Sequence, residues 1–268
     1  MADFKYSTKM IVAMVHVDAL PGTPKHRLPI SQIVSKAVSE ARLYAELGVD
    51  AILIENMHDV PYQNGKATPE VIACMTAVAL AIRNKTALPL GIQILAAANC
   101  EAVAVALASG LNFIRAEGFV FGHVADEGYI DSNAARLMRY RREVGAEHVQ
   151  IFTDVKKKHS SHAITADVSL AETIHAAEFF MSDGMIVTGS ATGCEASLTD
   201  LEQARTATQL PLWVGSGITA QNLNSYWNLA DGFIVGSHFK VDGNWQNTVD
   251  PQRISVFMNE VQRLRNSK

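Results

Sequence analysis

Acidic and imidazole side chains stand at the ends of several short apolar runs in this chain. His16, Glu55 and Asp154 each occupy the last or next-to-last position of such a run. The runs have the composition of buried β-strands, in which an isolated polar group is costly unless it is satisfied. Carboxylate and imidazole groups transfer protons near neutral pH, so these three residues are candidates for acid–base catalysis.

The segment that follows Asp154 adds several basic groups. Lys158 could stabilise an oxyanion or, with a depressed pKa, form a Schiff base, and His159 could return a proton. The alternative is a solvated basic loop. Residues 156–166 include three lysines and two histidines but show no helical stripe, so we expect a mobile flap that closes over the site.

Arg115 and Glu117 share a face of a fourth run, because side chains two residues apart on a strand point the same way. Glu117 is a further catalytic candidate, although it could equally face a loop. The competing interpretation is a structural salt-bridge network of Arg115, Glu117 and Glu55 that fills the core. His16 likewise has an alternative reading as a core histidine satisfied by Asp18.

Metal and cofactor binding have weak signals. His16, Asp18, Glu55 and Asp154 could supply nitrogen and oxygen ligands, but no HxH or HExxH motif fixes a site. A divalent metal therefore stays an open alternative, and no other cofactor is predicted. The remaining polar candidates are Gln93 and Thr188 within strands, whereas His58, His123, His162 and His175 are expected in loops or at the surface.

Two glycine-rich turns predict an anion site. Gly215-Ser216-Gly217 and Gly236-Ser237 each follow an apolar run near the end of the chain, and Thr219 could cap a helix that starts there. Glycines let backbone N–H groups approach a phosphate at a helix N-terminus. We include Thr188 and Gly189 in the predicted substrate-binding set. The alternative is a pair of ordinary tight strand-to-helix turns.

The elements that must position these residues alternate along the whole chain, which indicates βα units around a parallel sheet. The predicted strands are Met10–Val17, Ala51–Glu55, Leu90–Leu95, Asn112–Ala116, Val149–Asp154, Gly184–Thr188, Leu212–Gly215 and Gly232–Val235. Helical patterns fill the gaps, starting near Ser31, Pro69, Asn99, Asn133, Ser169, Leu198, Ala220 and Pro251.

Eight such units predict a single-domain α/β fold, a (β/α)8 TIM barrel over residues 1–268, with its site at the C-terminal ends of the strands. A doubly wound open sheet is the alternative, but no GxGxxG motif follows the first strand.

Composition excludes several classes of partner. The formal net charge of -4 offers no basic surface for nucleic acid, so a small phosphorylated molecule is the expected partner. Three cysteines without framework spacing, and an N-terminus from Met1 to Lys9 without an apolar core, predict a cytoplasmic, reducing location. The apolar run Val71–Ile82 is too short to span a membrane. The run Ala102–Ala108 is apolar nearly all round, which suits a subunit interface in a homo-oligomer or an ordinary buried helix.

In combination these segments resemble the BtpA/SgcQ family. The resemblance is carried by Met14-Val15-His16 with Leu20-Pro21-Gly22, Gly48 to Glu55-Asn56, Asp154 to His159, Val187-Thr188-Gly189 with Thr192-Gly193, Gly215-Ser216-Gly217 and Ala230-Asp231-Gly232 to Lys240. It implies a TIM barrel. One branch of the family is linked to photosystem I biogenesis and another to a sugar-metabolism gene cluster, and neither link names a reaction.

Two functions from different classes follow. The first is an enzyme acting on a phosphorylated sugar or nucleoside-like metabolite by isomerisation, lyase or glycosidic-bond chemistry, with Asp154 or Glu55 as the base. The second is a non-catalytic assembly factor on a barrel scaffold, in which the outer helices carry the function.

Overall fold

The computed structural model describes residues 9–189, 191 and 193–267. Met1–Thr8, on which most of the N-terminal expectation rests, and Thr192 of the family motif lie outside the described residues.

Eight parallel strands close into a barrel, which confirms the predicted fold. The strands are β1 (Met10–His16), β2 (Ala51–Glu55), β3 (Leu90–Gln93), β4 (Phe113–Ala116), β7 (Gln150–Val155), β9 (Gly184–Thr188), β10 (Leu212–Gly215) and β11 (Gly232–Val235). Around the barrel they follow the order β1-β11-β10-β9-β7-β4-β3-β2. Every predicted barrel strand is present, because a strand covered on both faces is apolar along its whole length.

Helices join the strands and form the outer layer. They are α1 (Ile30–Glu46), α2 (Pro69–Arg83), α3 (Asn99–Ser109), α4 (Ala134–Glu143), α5 (Leu170–Phe179), α6 (Leu198–Ala207), α7 (Leu223–Tyr226) and α8 (Pro251–Asn266). The residues predicted to begin or end helices do so in the structure. Pro69 is the first residue of α2, Gly110 ends α3 in the left-handed conformation, and Ser169 caps α5 in a capping box with Glu172.

The seventh helix is much shorter than predicted. A helix was expected from Ala220 to Leu229, but α7 contains four residues. Before it, Thr219 donates its N–H to the side chain of Asn222, and the Asn222 N–H donates to the Thr219 hydroxyl. Such side-chain bonds to the local backbone compete with helix formation.

The outer core lies between the strands and the helices. In α3, Ala102, Val103, Val105 and Ala106 are all buried, and the helix packs against α2, α4 and its flanking strands. This packing fits an ordinary buried helix for most of the run, but Ala108 is exposed, and a subunit interface stays a prediction.

The inside of the barrel holds a separate apolar cluster with three stacked or edge-on rings. Trp213 stacks on Phe152 at 3.9 Å between centroids and meets Phe113 at 5.3 Å. Glycines lie beside the rings: a Cβ atom at Gly91 would overlap Phe113, and one at Gly232 would overlap Trp213. The small and large residues thus fill the interior together and form a floor beneath the barrel mouth.

A second, three-stranded sheet stands above the mouth and was not predicted. It pairs β5 (His123–Ala125) with β6 (Gly128–Ile130) and with β8 (Ser160–Ser161), all antiparallel. The strand β8 lies inside the segment 156–166 that was predicted to form a flap, and it is followed by a short 3-10 turn at Ala163–Thr165. The mobility of this segment stays a prediction.

Within the described residues, no helix combines the length and the apolar character required to cross a membrane.

Candidate functional site

A polar layer lies directly above the aromatic floor. His16, Glu55 and Gln93 occupy matched positions on the adjacent strands β1, β2 and β3. Arg115 and Asp154 follow on β4 and β7, and all five side chains are buried. The parity rule therefore gathers these groups at the C-terminal ends of the strands, where barrels place their working sites.

Asp154 is fully engaged by Arg115. The Nε and one terminal nitrogen of Arg115 each donate to a different Asp154 oxygen at 2.9 Å. Arg115 therefore pairs with Asp154, whereas the salt-bridge interpretation expected it to pair with Glu117 and Glu55. This bidentate pair fixes the orientation of the Arg115 guanidinium, and the role of Asp154 as a catalytic base stays a prediction.

His16 faces Glu55 and not Asp18. Its Nδ1 lies 3.3 Å from the carbonyl oxygen of Trp245, and its Nε2 lies 3.9 Å from a Glu55 oxygen. Asp18 instead pairs with Lys36 at 2.8 Å. If Nδ1 carries the hydrogen donated to the carbonyl, Nε2 presents a lone pair toward Glu55.

Burial changes the proton affinities of both groups. It lowers the pKa of His16 well below the ordinary value and raises the pKa of Glu55, although Arg115 and Lys158 oppose the rise at Glu55. A neutral imidazole therefore faces a carboxyl group that is easier to protonate than usual. This is the arrangement of a proton donor and acceptor pair.

Lys158 reaches back into the barrel mouth instead of into solvent. Its Nζ donates to the Ser216 hydroxyl at 2.9 Å, and burial together with the nearby Arg115 lowers its pKa. The solvated-loop interpretation is therefore wrong for Lys158. The solvated-loop interpretation fits His159 better, because His159 is exposed at the rim of the mouth. Lys156 points away from the mouth and donates to the Val168 carbonyl.

The two predicted anion turns have strained or compact backbones. Ser216 and Gly217 both have positive φ, at 76° and 68°, which is costly for the serine. A Cβ atom at Gly217 would overlap the backbone of Cys194, and one at Gly236 would lie 3.3 Å from the His16 ring. Among the described residues, the N–H groups of Gly217 and Gly236 have no protein acceptor, so both can serve a ligand.

The remaining members of the predicted binding set contribute differently. Gly189 packs against the backbone of Cys194 and Glu195 and does not border the mouth cavity. The Thr188 hydroxyl is buried without a hydrogen-bond partner in the described part of the chain. Thr219 and the short α7 do not provide the expected helix N-terminus, because the Thr219 N–H is already bonded to Asn222.

The mouth contains two cavities with a common wall. The first chamber, about 160 Å³, is bordered by His16, Ser216, Gly217, Gly236, Ser237 and Arg253, among others. The second chamber, about 270 Å³, is bordered by Tyr62, Gln93, Leu95, Glu117, Lys157, His159 and Trp245, among others. Four residues border both chambers: Glu55, Met57, Arg115 and Lys158. Three of these four side chains are ionisable, so charged groups lie at the junction of the chambers.

Glu117 borders the second chamber and also contacts loop residues, so both predicted environments apply to it. The buried Lys157 lies 3.7 Å from Glu117 and 3.5 Å from Glu127. Burial raises the pKa of Glu117, and Lys157 opposes that rise. Glu117 also accepts the N–H of Ala97 at 3.0 Å, so it holds the chamber wall in place.

The predicted set of metal ligands is not assembled. Asp18 is paired with Lys36 and Asp154 with Arg115. No cluster of three or more His, Cys, Asp or Glu side chains suited to a metal occurs in residues 9–189, 191 and 193–267. The combination of His16, Asp18, Glu55 and Asp154 is therefore not a metal site.

Several residues of the site carried no usable signal in the sequence. Trp245 and Arg253 come from the loop after β11 and from α8, where no strand end marked them. Lys240 is almost completely buried and pairs with Glu40 of α1 at 2.8 Å. His123, expected in a loop or at the surface, begins the short strand β5 between β4 and α4 and is buried against His162, at 5.3 Å between ring centroids. Burial lowers its pKa to about 4.

Fold and site together define a (β/α)8 barrel with a two-chambered polar mouth. Known enzymes that share the fold include orotidine 5'-monophosphate decarboxylase of Methanocaldococcus jannaschii, at a TM-score of 0.61 and 14% identity over 97% of this chain and 99% of that chain. Thiamine phosphate pyrophosphorylase of Pyrococcus furiosus gives a TM-score of 0.60, at 14% identity over 96% of each chain. At such identity the likeness shows the fold alone.

The chain belongs to the BtpA family, whose model matches residues 7–263. It is 49% identical to an uncharacterised mitochondrial protein of Caenorhabditis elegans over 97% of this chain and 95% of the relative. It is 34% identical to the photosystem I biogenesis protein BtpA of Synechocystis, over 92% of this chain and 86% of the relative.

Proposed function

We propose that this protein is an enzyme that acts on a phosphorylated sugar or nucleoside-like metabolite, by isomerisation, lyase or glycosidic-bond chemistry. One observation carries the proposal. Gly217 and Gly236, whose N–H groups have no acceptor among the residues that the structure describes, border the same chamber as Glu55, Arg115 and Lys158. A phosphate held by the amides would therefore place the rest of the molecule against groups that transfer protons and stabilise negative charge.

The first chamber provides the phosphate grip. Backbone N–H groups of Gly217 and Gly236, with the hydroxyls of Ser216 and Ser237, supply donors without a side-chain charge. Lys158, bonded to Ser216, supplies the positive charge at the inner edge of this grip. Arg253 borders the chamber but is partly committed, since it donates to the His238 carbonyl at 2.7 Å.

Proton transfer is assigned to Glu55 with His16. Glu55 borders both chambers, and burial raises its pKa, which makes it a better proton acceptor than an exposed carboxylate. His16 acts through Nε2 as the partner of Glu55. Arg115, fixed by Asp154, and Lys158 stabilise the negative charge that develops on the substrate.

Three neighbouring residues take modified roles. Asp154 acts as a positioning residue through Arg115, and Glu117 shapes the second chamber. His159 borders the second chamber at its exposed rim, where it can return a proton to the substrate. The lowered pKa of Lys158 meets one requirement of a Schiff-base lysine, so covalent chemistry on a ketone substrate stays within the proposal.

The decisive test compares two substitutions at Gly236. In Gly236→Asp a carboxylate enters the first chamber beside His16, and in Gly236→Asn an uncharged group of the same shape does. We expect binding of a panel of sugar phosphates and nucleoside monophosphates, measured by calorimetry, to fall at least about tenfold further in the Asp variant, because like charges repel.

Circular dichroism checks that both variants are folded. Both variants add the same Cβ atom 3.3 Å from the His16 ring, so the two should be equally stable and any difference in binding between them reflects the charge. If folded Gly236→Asp binds every phosphorylated ligand as the parent does, the anion lies elsewhere and the proposal fails. If the parent binds no member of the panel, the assembly-factor role is favoured.

We propose a cytoplasmic location for the protein. Cys74, Cys100 and Cys194 are free thiols, which suits the cytoplasmic, reducing location expected from the sequence. A homo-oligomer stays a prediction, to be measured by light scattering.

A further inference from the structure

The second chamber has an apolar and aromatic part within a lining that is otherwise mostly charged. Tyr62, Leu95 and Trp245 border it, together with Met57 at the junction with the first chamber. Trp245 is partly buried and is held in place by two histidines, with ring centroids 5.0 Å from His58 and 6.2 Å from His16. An aromatic side chain fixed in this way is suited to contact the face of a flat ligand.

Gln93 supplies an unused polar edge to the same chamber. It is 2% exposed, and its Oε1 has no hydrogen-bond partner among the residues the structure describes. A buried amide oxygen without a partner is costly, and the position next to Glu55 places it on the inner wall. An amide presents a donor and an acceptor in one plane, which matches the edge of a nitrogen heterocycle.

The charges of the second chamber disfavour a second phosphate. The lining has four carboxylates and three lysine or arginine side chains: Glu55, Glu117, Asp126, Glu127, Arg115, Lys157 and Lys158. Lys157 lies close to two of the carboxylates, and Arg115 is paired with Asp154. A neutral ligand part that donates hydrogen bonds suits such a surface better than an anion does.

We propose that the second chamber binds a planar nitrogen heterocycle of the phosphorylated substrate, so that the substrate class is a nucleoside monophosphate-like compound and not a bare sugar phosphate. This inference rests on the proposed function, because the phosphate enters the first chamber. The larger second chamber takes the ring, and Glu55 and Lys158 lie at the bond between the two parts.

The experiment measures dissociation constants by calorimetry for four probes. They are ribose 5-phosphate, uridine 5'-monophosphate, adenosine 5'-monophosphate and the unphosphorylated nucleoside uridine. We expect at least one nucleotide to bind the parent about tenfold or more tightly than ribose 5-phosphate, since stacking on an aromatic residue supplies that much affinity.

Two variants then assign the preference to the chamber. Trp245→Leu should remove the advantage of nucleotides and leave the affinity for ribose 5-phosphate within about twofold. Gln93→Leu removes an unpaired buried oxygen, so it should raise resistance to urea while it weakens nucleotide binding. A merely structural glutamine would not give these opposite changes.

Each outcome has a defined meaning. Equal affinities of the parent for ribose 5-phosphate and both nucleotides would overturn the ring chamber and leave the proposed function standing. Binding of uridine that depends on Trp245, without binding of any phosphate ester, would support the ring chamber and overturn the phosphate grip. A nucleotide preference that survives intact in both folded variants would also overturn this inference.

Discussion

Asp154 on β7 holds the guanidinium of Arg115 on the neighbouring strand β4 through two hydrogen bonds of 2.9 Å, and both side chains are buried. Removing one partner of such a pair leaves an uncompensated charge. We therefore expect Asp154→Asn to lower the free energy of unfolding by about 3–5 kcal/mol, measured by urea denaturation, and to abolish ligand binding.

The control for this prediction is Glu260→Gln, which breaks the exposed pair of Glu260 with Arg263 on α8. Exposed pairs contribute little, so the unfolding curve should stay nearly unchanged. An Asp154→Asn protein as stable as the Glu260→Gln protein would show that Arg115 does not depend on its partner.

Glu55 predicts a specific pH dependence of stability. Its pKa is raised in the folded state, so the folded protein binds a proton that the unfolded chain has released. Its contribution is therefore fully present below the unfolded pKa, near about 4.3, and is lost as the pH rises through the folded pKa. Glu55→Gln cannot ionise, so its stability relative to the parent should increase across that window.

Urea denaturation at a series of pH values measures this difference. The matched variant Glu46→Gln replaces an exposed glutamate of α1 and should follow the parent at each pH. A Glu55→Gln protein whose difference from the parent is constant with pH would rule out the raised pKa.

The aromatic floor leaves no room for a side chain at position 91. A Cβ atom there would overlap the ring of Phe113, and overpacking of a filled core costs about 1–3 kcal/mol. Gly91→Ala should therefore destabilise the protein by this amount in urea. The double variant Gly91→Ala with Phe113→Leu should lose less than the sum of the two single variants, because the smaller side chain makes room. Additive losses would contradict contact between the two positions.

Hydrogen exchange can test the predicted motion of the segment 156–166. Because β8 pairs with β5, we expect the amides of residues 123–125 and 160–161 to gain protection together when a nucleotide or sugar phosphate is bound. Exchange rates that are the same with and without ligand would contradict a closing flap.

The barrel could be predicted from the sequence because each strand is apolar throughout and carries its polar residue at one end. The same rule found His16, Glu55, Arg115 and Asp154. It could not tell which of them would pair, since Arg115 and Asp154 are 39 positions apart and their contact depends on the angle at which neighbouring strands meet.

The pattern of apolar strands with polar ends could not identify the site residues that lie in loops. The bond from Lys158 to Ser216 joins positions 58 apart, and Trp245 lies in a turn with no periodic pattern. The helix predicted from Ala220 failed because Thr219 and Asn222 bond each other's backbone, a local preference that outweighed the apolar positions after them.

The rings of Phe113, Phe152 and Trp213 also determine how molecules travel through the protein. They close the barrel from below with fully buried side chains, so the polar layer communicates with solvent at one end only. Under the proposed function, product must leave by the route that substrate used to enter, and water reaches Glu55 only while that route is open. The rate of opening would then set an upper limit on turnover.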